Sequence, residues 1–74
     1  PIYIKAEAVQ DLNLRILKIL RKTPMEEKDR ENLLQAIDTA AAKVVNKMMF
    51  GLKDSLEEKE FLNCVEGLEK LYEN

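Results

Sequence analysis

The chain has 74 residues, of which 12 are basic and 14 acidic, giving a net charge of −2, and 46% of its residues are hydrophobic. This length predicts one domain over residues 1–74, and the hydrophobic share argues against a disordered chain. Two Gly and two Pro argue against collagen-like, linker-like and turn-rich all-β proteins. One Cys excludes an internal disulfide framework and a Cys-based zinc site, and the lack of His removes the commonest acid–base catalyst.

The first predicted helix covers about residues 3–22. Its apolar residues recur at the spacing of one helix face, which indicates an amphipathic helix. The lead-in at residues 2–4 alternates weakly with polar neighbours and is left open between helix and extended chain. The predicted core stripe consists of Val9, Leu12, Ile16, Ile19 and Leu20.

The second predicted helix covers about residues 24–50. Thr23 is a suitable N-cap, Pro24 suits the first helical position, and Glu26 completes a capping box. Residues 25–32 are nearly all charged, so this end either projects past the other helices or forms a separate short helix. The predicted core stripe consists of Leu33, Leu34, Ile37, Ala41, Val44, Val45, Met48 and Leu52.

The third predicted helix covers about residues 56–73. Gly51 suits the left-handed residue that ends a helix, and Ser55 with Glu58 forms a second capping box. Cys64 lies at the edge of the apolar stripe and is expected to be buried. The predicted stripe consists of Phe61, Val65, Leu68 and Tyr72.

Three amphipathic helices joined by short loops predict an all-α, antiparallel three-helix bundle. A core of this size supplies only about 3–5 kcal/mol of net stability, and no disulfide or metal adds to it. Self-association is therefore a natural way for the fold to gain stability. No apolar run approaches the ~20 residues that cross a bilayer, and no secretory leader is visible, so we expect a cytoplasmic protein.

Residues suited to catalysis are scarce. Gly51 and Gly67 stand alone rather than in a phosphate-binding loop, and no nucleophile elbow, zinc motif or calcium loop is present. We therefore predict no enzyme, no catalytic residue, no cofactor, no metal and no small-molecule ligand. One alternative is a small mutase-like enzyme, because chorismate mutases build their sites from Arg, Lys and Glu on bundled helices; Arg15, Arg30 and Lys43 are the candidates here.

A second alternative is a nucleic-acid-binding regulator. Residues 1–22 carry five basic and two acidic side chains, whereas residues 54–74 carry two basic and seven acidic ones. The cations at the end of the first helix and the acids at the start of the third match the helix dipoles, which accounts for most of this sorting. No aromatic residue is interleaved with the cations as a stacking platform. The basic candidates are Arg15, Lys18, Arg21 and Lys22.

Apolar residues that miss the predicted core stripes carry the main functional hypothesis. A three-helix bundle covers one broad face of each helix, so apolar side chains on the remaining faces indicate a contact with another protein. We therefore predict a small non-enzymatic interaction module, acting as a regulator, inhibitor or adaptor and forming a homodimer. The predicted interface residues are Leu14, Leu17, Met49, Phe50 and Leu62.

The last two helices resemble the antiparallel helical bacteriocin immunity proteins in size, charge density and amphipathic character. The resemblance is carried by the Glu-rich, Leu-spaced segment Ser55-Leu-Glu-Glu-Lys-Glu-Phe-Leu. It implies a protein that protects a cell from a toxin, which is a third alternative function.

Overall fold

The computed structural model describes residues 2–73, with only the backbone described for Ile2. Within that range the chain forms three α-helices: α1 (Ile2–Arg21), α2 (Glu27–Ser55) and α3 (Glu58–Leu71). The described residues contain no strand. The predicted all-α, three-helix architecture is confirmed, and the lead-in that the sequence left open belongs to α1.

Helices α1 and α2 form an antiparallel hairpin. The Asn13 side-chain amide donates a hydrogen bond to the carboxylate of Asp38 at 2.7 Å, and Arg30 reaches the carbonyl of Leu20 at 3.4 Å. Residues later in α1 therefore lie beside residues earlier in α2, as in an antiparallel pair. Most of the contact between helices lies in this pair, and α3 touches each of the other two much less.

The turn between α1 and α2 takes five residues, so the predicted cap at Thr23 is wrong. The Thr23 hydroxyl instead donates to the carbonyl of Ile19 at 2.9 Å, which satisfies an unpaired carbonyl at the end of α1. The chain then runs extended to Glu26, the residue that precedes the first turn of α2. Pro24 therefore lies in the turn between α1 and α2 and not in the first turn of a helix.

The junction between α2 and α3 also differs from the prediction. Gly51 lies inside α2 rather than at its end, and no described residue has the positive φ of a left-handed helix cap. Ser55 is the last residue of α2, so it cannot cap α3. Glu57 and Glu60 form the capping box instead, and the backbone N–H of Glu57 donates to the Glu60 carboxylate at 3.1 Å.

Helix α2 is continuous and projects at its C-terminal end. With Asn13 level with Asp38, the start of α1 lies level with about residue 49 of α2. The remaining six residues extend about 9 Å beyond α1 at about 1.5 Å per residue. The charged end at residues 27–32 lies beside the end of α1, so the predicted projection or separate helix at residues 25–32 is wrong.

Helix α3 presents its predicted apolar stripe inward. Val65 is buried, and Phe61, Leu68 and Tyr72 are half-buried. Cys64 is exposed, so its predicted burial is wrong. The thiol lies on the flank of the stripe, about 100° around the helix from Val65.

The three helices leave the molecule open. Its dimensions are 48 × 26 × 14 Å and its radius of gyration is 15.1 Å, whereas a compact chain of this length has a radius of about 11 Å. Only Ile4, Leu20, Ala41 and Val65 are buried among the described residues, at 3–7% exposure, and none of these is completely enclosed. The core within one chain is therefore small.

Candidate interaction surface

One side of α1 carries apolar side chains that do not face α2. The line of contact with α2 runs through Val9, Ile16 and Leu20, which are half-buried or buried. Leu12 and Ile19 lie seven residues apart, on a line about 70° around the helix from that contact. Both were predicted to belong to the core, yet both are exposed, Ile19 by 60%. That prediction is wrong for these two residues.

Helix α2 has the same arrangement. Its contact with α1 runs through Leu34, Ile37 and Ala41. A second apolar line lies beside it at the spacings of one helix face. It consists of Leu33, Ala40, Val44 and Met48. Val44 on this line is 57% exposed, and Leu52 near the projecting end is exposed as well. The structure thus corrects the predicted core positions on the α2 stripe that are exposed, namely Leu33, Val44, Met48 and Leu52.

The two exposed lines share one side of the hairpin. Asn13 and Asp38 are joined by a hydrogen bond, so they lie on the same side. In α1, Leu12 and Ile19 flank the contact line on the side opposite to Asn13. In α2, the second apolar line flanks the contact on the side opposite to Asp38. We call the resulting surface the open face; it consists of Leu12, Ile19, Leu33, Ala40, Val44 and Met48.

The open face exists because the apolar stripe of α2 is too broad for one neighbouring helix to cover. Residues from Leu33 to Val45 spread over about 120° of the helix circumference at ~100° per residue. One neighbouring helix covers only part of that arc. Helix α1 therefore buries Ala41 and half-buries Ile37, and it leaves Val44 in solvent.

The exposed area is large for the mass of the chain. The surface is 6027 Å², whereas a compact monomer of 8.6 kDa exposes about 4,700 Å². The difference is about 1,300 Å² per chain. Soluble monomers rarely expose large contiguous apolar patches, which makes the open face the candidate interaction surface.

The five residues that the sequence predicted for the interface are spread over the molecule. Leu14 and Leu17 lie on the flank of α1 away from the open face, and Leu62 lies on α3. Phe50 is exposed on the projecting end of α2, and Met49 is half-buried beside it. The structure does not bring these residues together into one patch, and their role in binding stays a prediction.

The three residues considered for a mutase-like site do not converge. Arg15 pairs with Asp11 at 2.9 Å on the outer side of α1. Lys43 lines a shallow depression on the outer side of α2. Arg30 is held at the end of α1, where its guanidinium donates to the carbonyl of Thr23 at 3.2 Å and to the carboxylate of Glu27 at 3.2 Å.

The basic residues of α1 lie on its outer side rather than on the open face. Arg15, Lys18 and Arg21 surround a shallow depression that also contains Asp11 and two leucines. The ion pair with Asp11 reduces the positive charge available for a phosphate backbone. The nucleic-acid alternative therefore gains no further support from this arrangement.

Residues 2–73 contain no cluster of three or more Cys, Asp or Glu side chains placed to hold a metal ion. Of the helices described, none combines the length and apolar character needed to cross a bilayer.

Comparison of the chain with protein-family models, curated proteins and solved structures gives no match. The resemblance to bacteriocin immunity proteins is thus neither supported nor contradicted, and it stays a prediction. The open face is the feature that bears on function.

Proposed function

We propose that this protein acts by binding another polypeptide through the open face of the α1–α2 hairpin, and not by catalysis. The observation that carries the proposal is the 57–62% exposure of Val44, Ile19 and Met48 on one side of the hairpin. Burying such side chains stabilises a complex by roughly 25 cal/mol for each Å² of apolar area removed from water.

The surroundings of the open face favour binding by apolar contact. Interface cores are depleted in charged residues and enriched in large apolar ones. The six residues that define the open face are apolar, and the exposed Lys47, seven residues beyond Ala40, is a charged residue at its edge. The described ion pairs, Arg15 with Asp11 and Arg30 with Glu27, join residues outside the open face.

The proposal is tested by placing a photoreactive benzophenone amino acid at single positions in cells that make the protein. Val44 on the open face is compared with Thr39, an exposed residue on the outer side of the same helix. After irradiation, the position 44 variant should yield a covalent adduct of discrete mass, because a bound polypeptide lies within reach of the reactive group. The position 39 variant should yield none.

Equal labelling from both positions, or no adduct from position 44, would contradict the proposal. The mass of the adduct also gives the mass of the bound polypeptide. A cytoplasmic location is part of the proposal, since the exposed thiol of Cys64 is compatible with a reducing compartment.

A further inference from the structure

We infer that the polypeptide bound on the open face is an amphipathic helix with acidic residues on both sides of its apolar stripe. This inference rests on the proposed function, because it gives the chemistry of the partner proposed there. The juxtaposition that carries it is an apolar line on each helix, bordered on its outer side by cations. These cations are Arg15 and Lys22 on α1, and Lys43 and Lys47 on α2.

The cations of α1 lie next to its open-face residues. Arg15 is three residues after Leu12 and four before Ile19. Lys22 is three residues after Ile19, so both cations follow the exposed line on the side away from α2. Arg15 is paired with Asp11 at 2.9 Å, whereas Lys22 is exposed and forms no ion pair within residues 3–73. The border on α1 therefore keeps a net positive charge.

The cations of α2 border its open-face line in the same way. Lys43 is three residues after Ala40, and Lys47 is seven residues after it; both lysines are exposed. No ion pair joins either lysine to another residue in the range 3–73. An acidic side chain also lies at this border, because Asp29 is four residues before Leu33. The border on α2 is positive as well.

The two borders are thus positive in a chain that is negative overall. Four cations against Asp11 and Asp29 give a charge of +2, whereas the whole chain carries −2. The two apolar lines continue to Lys5 at one end and to Glu26 at the other, which add no net charge. Acidic residues beside the apolar stripe of a partner would complement this pattern, and complementary charge favours the matching partner over others.

The open face favours a helix over an extended peptide. It presents apolar side chains and no unpaired backbone groups, because α1 and α2 pair their own along their lengths. An extended segment buried there would leave its backbone N–H and C=O groups without partners, whereas a helix pairs its own. Leu33 and Met48 are 15 residues apart, so the face is about 22 Å long and takes a helix of about 15 residues.

Two synthetic peptides test the inference by fluorescence anisotropy with the purified full chain. Both are amphipathic helices of about 15 residues with a leucine stripe; one carries glutamate on both sides of the stripe, and the other carries lysine at the same positions. The glutamate peptide should bind about tenfold more tightly at low salt, and its advantage should shrink as salt is added. Net charge alone would favour the lysine peptide, since the chain carries −2.

Charge reversal at the border shows where the preference arises. Lys47→Glu should reduce the preference for the glutamate peptide about threefold, because an attraction becomes a repulsion. Lys28→Glu is the matched control, since it reverses another exposed lysine of α2 that lies away from the open face. It should leave the preference unchanged. An equal effect of the two substitutions would contradict the assignment of the preference to the border.

Equal binding of the two peptides, tighter binding of the lysine peptide, or no binding of the glutamate peptide would overturn the inference. So would a purified chain whose own copies cover Val44 and exclude the glutamate peptide. Displacement of that peptide by a DNA duplex at lower concentration than by unlabelled peptide would assign the cations to phosphate and would also overturn it. If the position 44 cross-linker still captures a polypeptide in any of these cases, the inference fails and the proposed function stands.

Discussion

Replacing Ile19 with alanine should destabilise the protein in its complex by about 2 kcal/mol per chain, as expected for truncation of an isoleucine that a bound polypeptide buries. Within one chain this residue is 60% exposed, and at an exposed helical site the same change would be neutral or slightly stabilising, because alanine has the higher helix propensity. The sign of the effect therefore reports whether the open face is covered. Proteolysis during urea unfolding in a lysate of cells that make the protein measures it, because the bound polypeptide is then present.

Leu14→Ala provides the comparison on the same helix. Leu14 is 54% exposed, close to the value for Ile19, but it lies away from the open face. We expect its truncation to change stability by less than about 0.5 kcal/mol. If the interface lay at Leu14, as the sequence predicts, Leu14→Ala would cost more stability than Ile19→Ala. A larger loss for Leu14→Ala than for Ile19→Ala would therefore favour that surface and contradict the open face.

Arg30→Ala should lower stability by about 1–2 kcal/mol, because hydrogen bonds to a charged group contribute more than neutral ones. The guanidinium donates to the carbonyl of Leu20 near the end of α1, to the carbonyl of Thr23 in the turn, and to Glu27 on its own helix. Its removal takes a donor from each of these groups and frees the turn between α1 and α2. Urea or thermal unfolding gives the magnitude.

Two variants separate this role from a simple loss of charge. Lys28→Ala removes an exposed cation from the same turn of α2 and should have an effect below about 0.5 kcal/mol. Arg30→Lys keeps the charge but not the two separate terminal nitrogens, of which Nη2 donates to both carbonyls and Nη1 to Glu27, so it should recover only part of the loss. If Arg30→Ala is no more harmful than Lys28→Ala, the bridge between α1 and α2 does not stabilise the hairpin.

The sequence predicted the helices well and their ends less well. Apolar spacing is a local property, so it located α1, α2 and α3, and the short loops between them predicted their antiparallel order. Helix ends depend on how the chain reverses direction. Threonine is a common N-cap residue, but the Thr23 hydroxyl donates to the carbonyl of Ile19 at the end of α1. Glycine commonly ends a helix, but α2 continues through Gly51 to Ser55.

The open face could not be located from periodicity alone. The sequence pattern of an apolar stripe is the same whether the stripe packs against the same chain or against another one. Leu12 and Val44 were therefore assigned to the core, and off-stripe residues such as Leu14 and Leu62 were assigned to the interface. The stripe of α2 is about 120° wide at ~100° per residue, and that width was the available signal that one neighbouring helix would be insufficient.

Thiol labelling in cells that make the protein tests most directly whether another polypeptide covers the open face. Single cysteines are introduced by Val44→Cys or Thr39→Cys after Cys64→Ser removes the exposed native thiol. Cysteine at position 44 should react at least tenfold more slowly than cysteine at position 39, because a bound polypeptide shields it from the reagent. Equal rates at both positions in a helical chain would show that Val44 faces solvent and would contradict the proposed function.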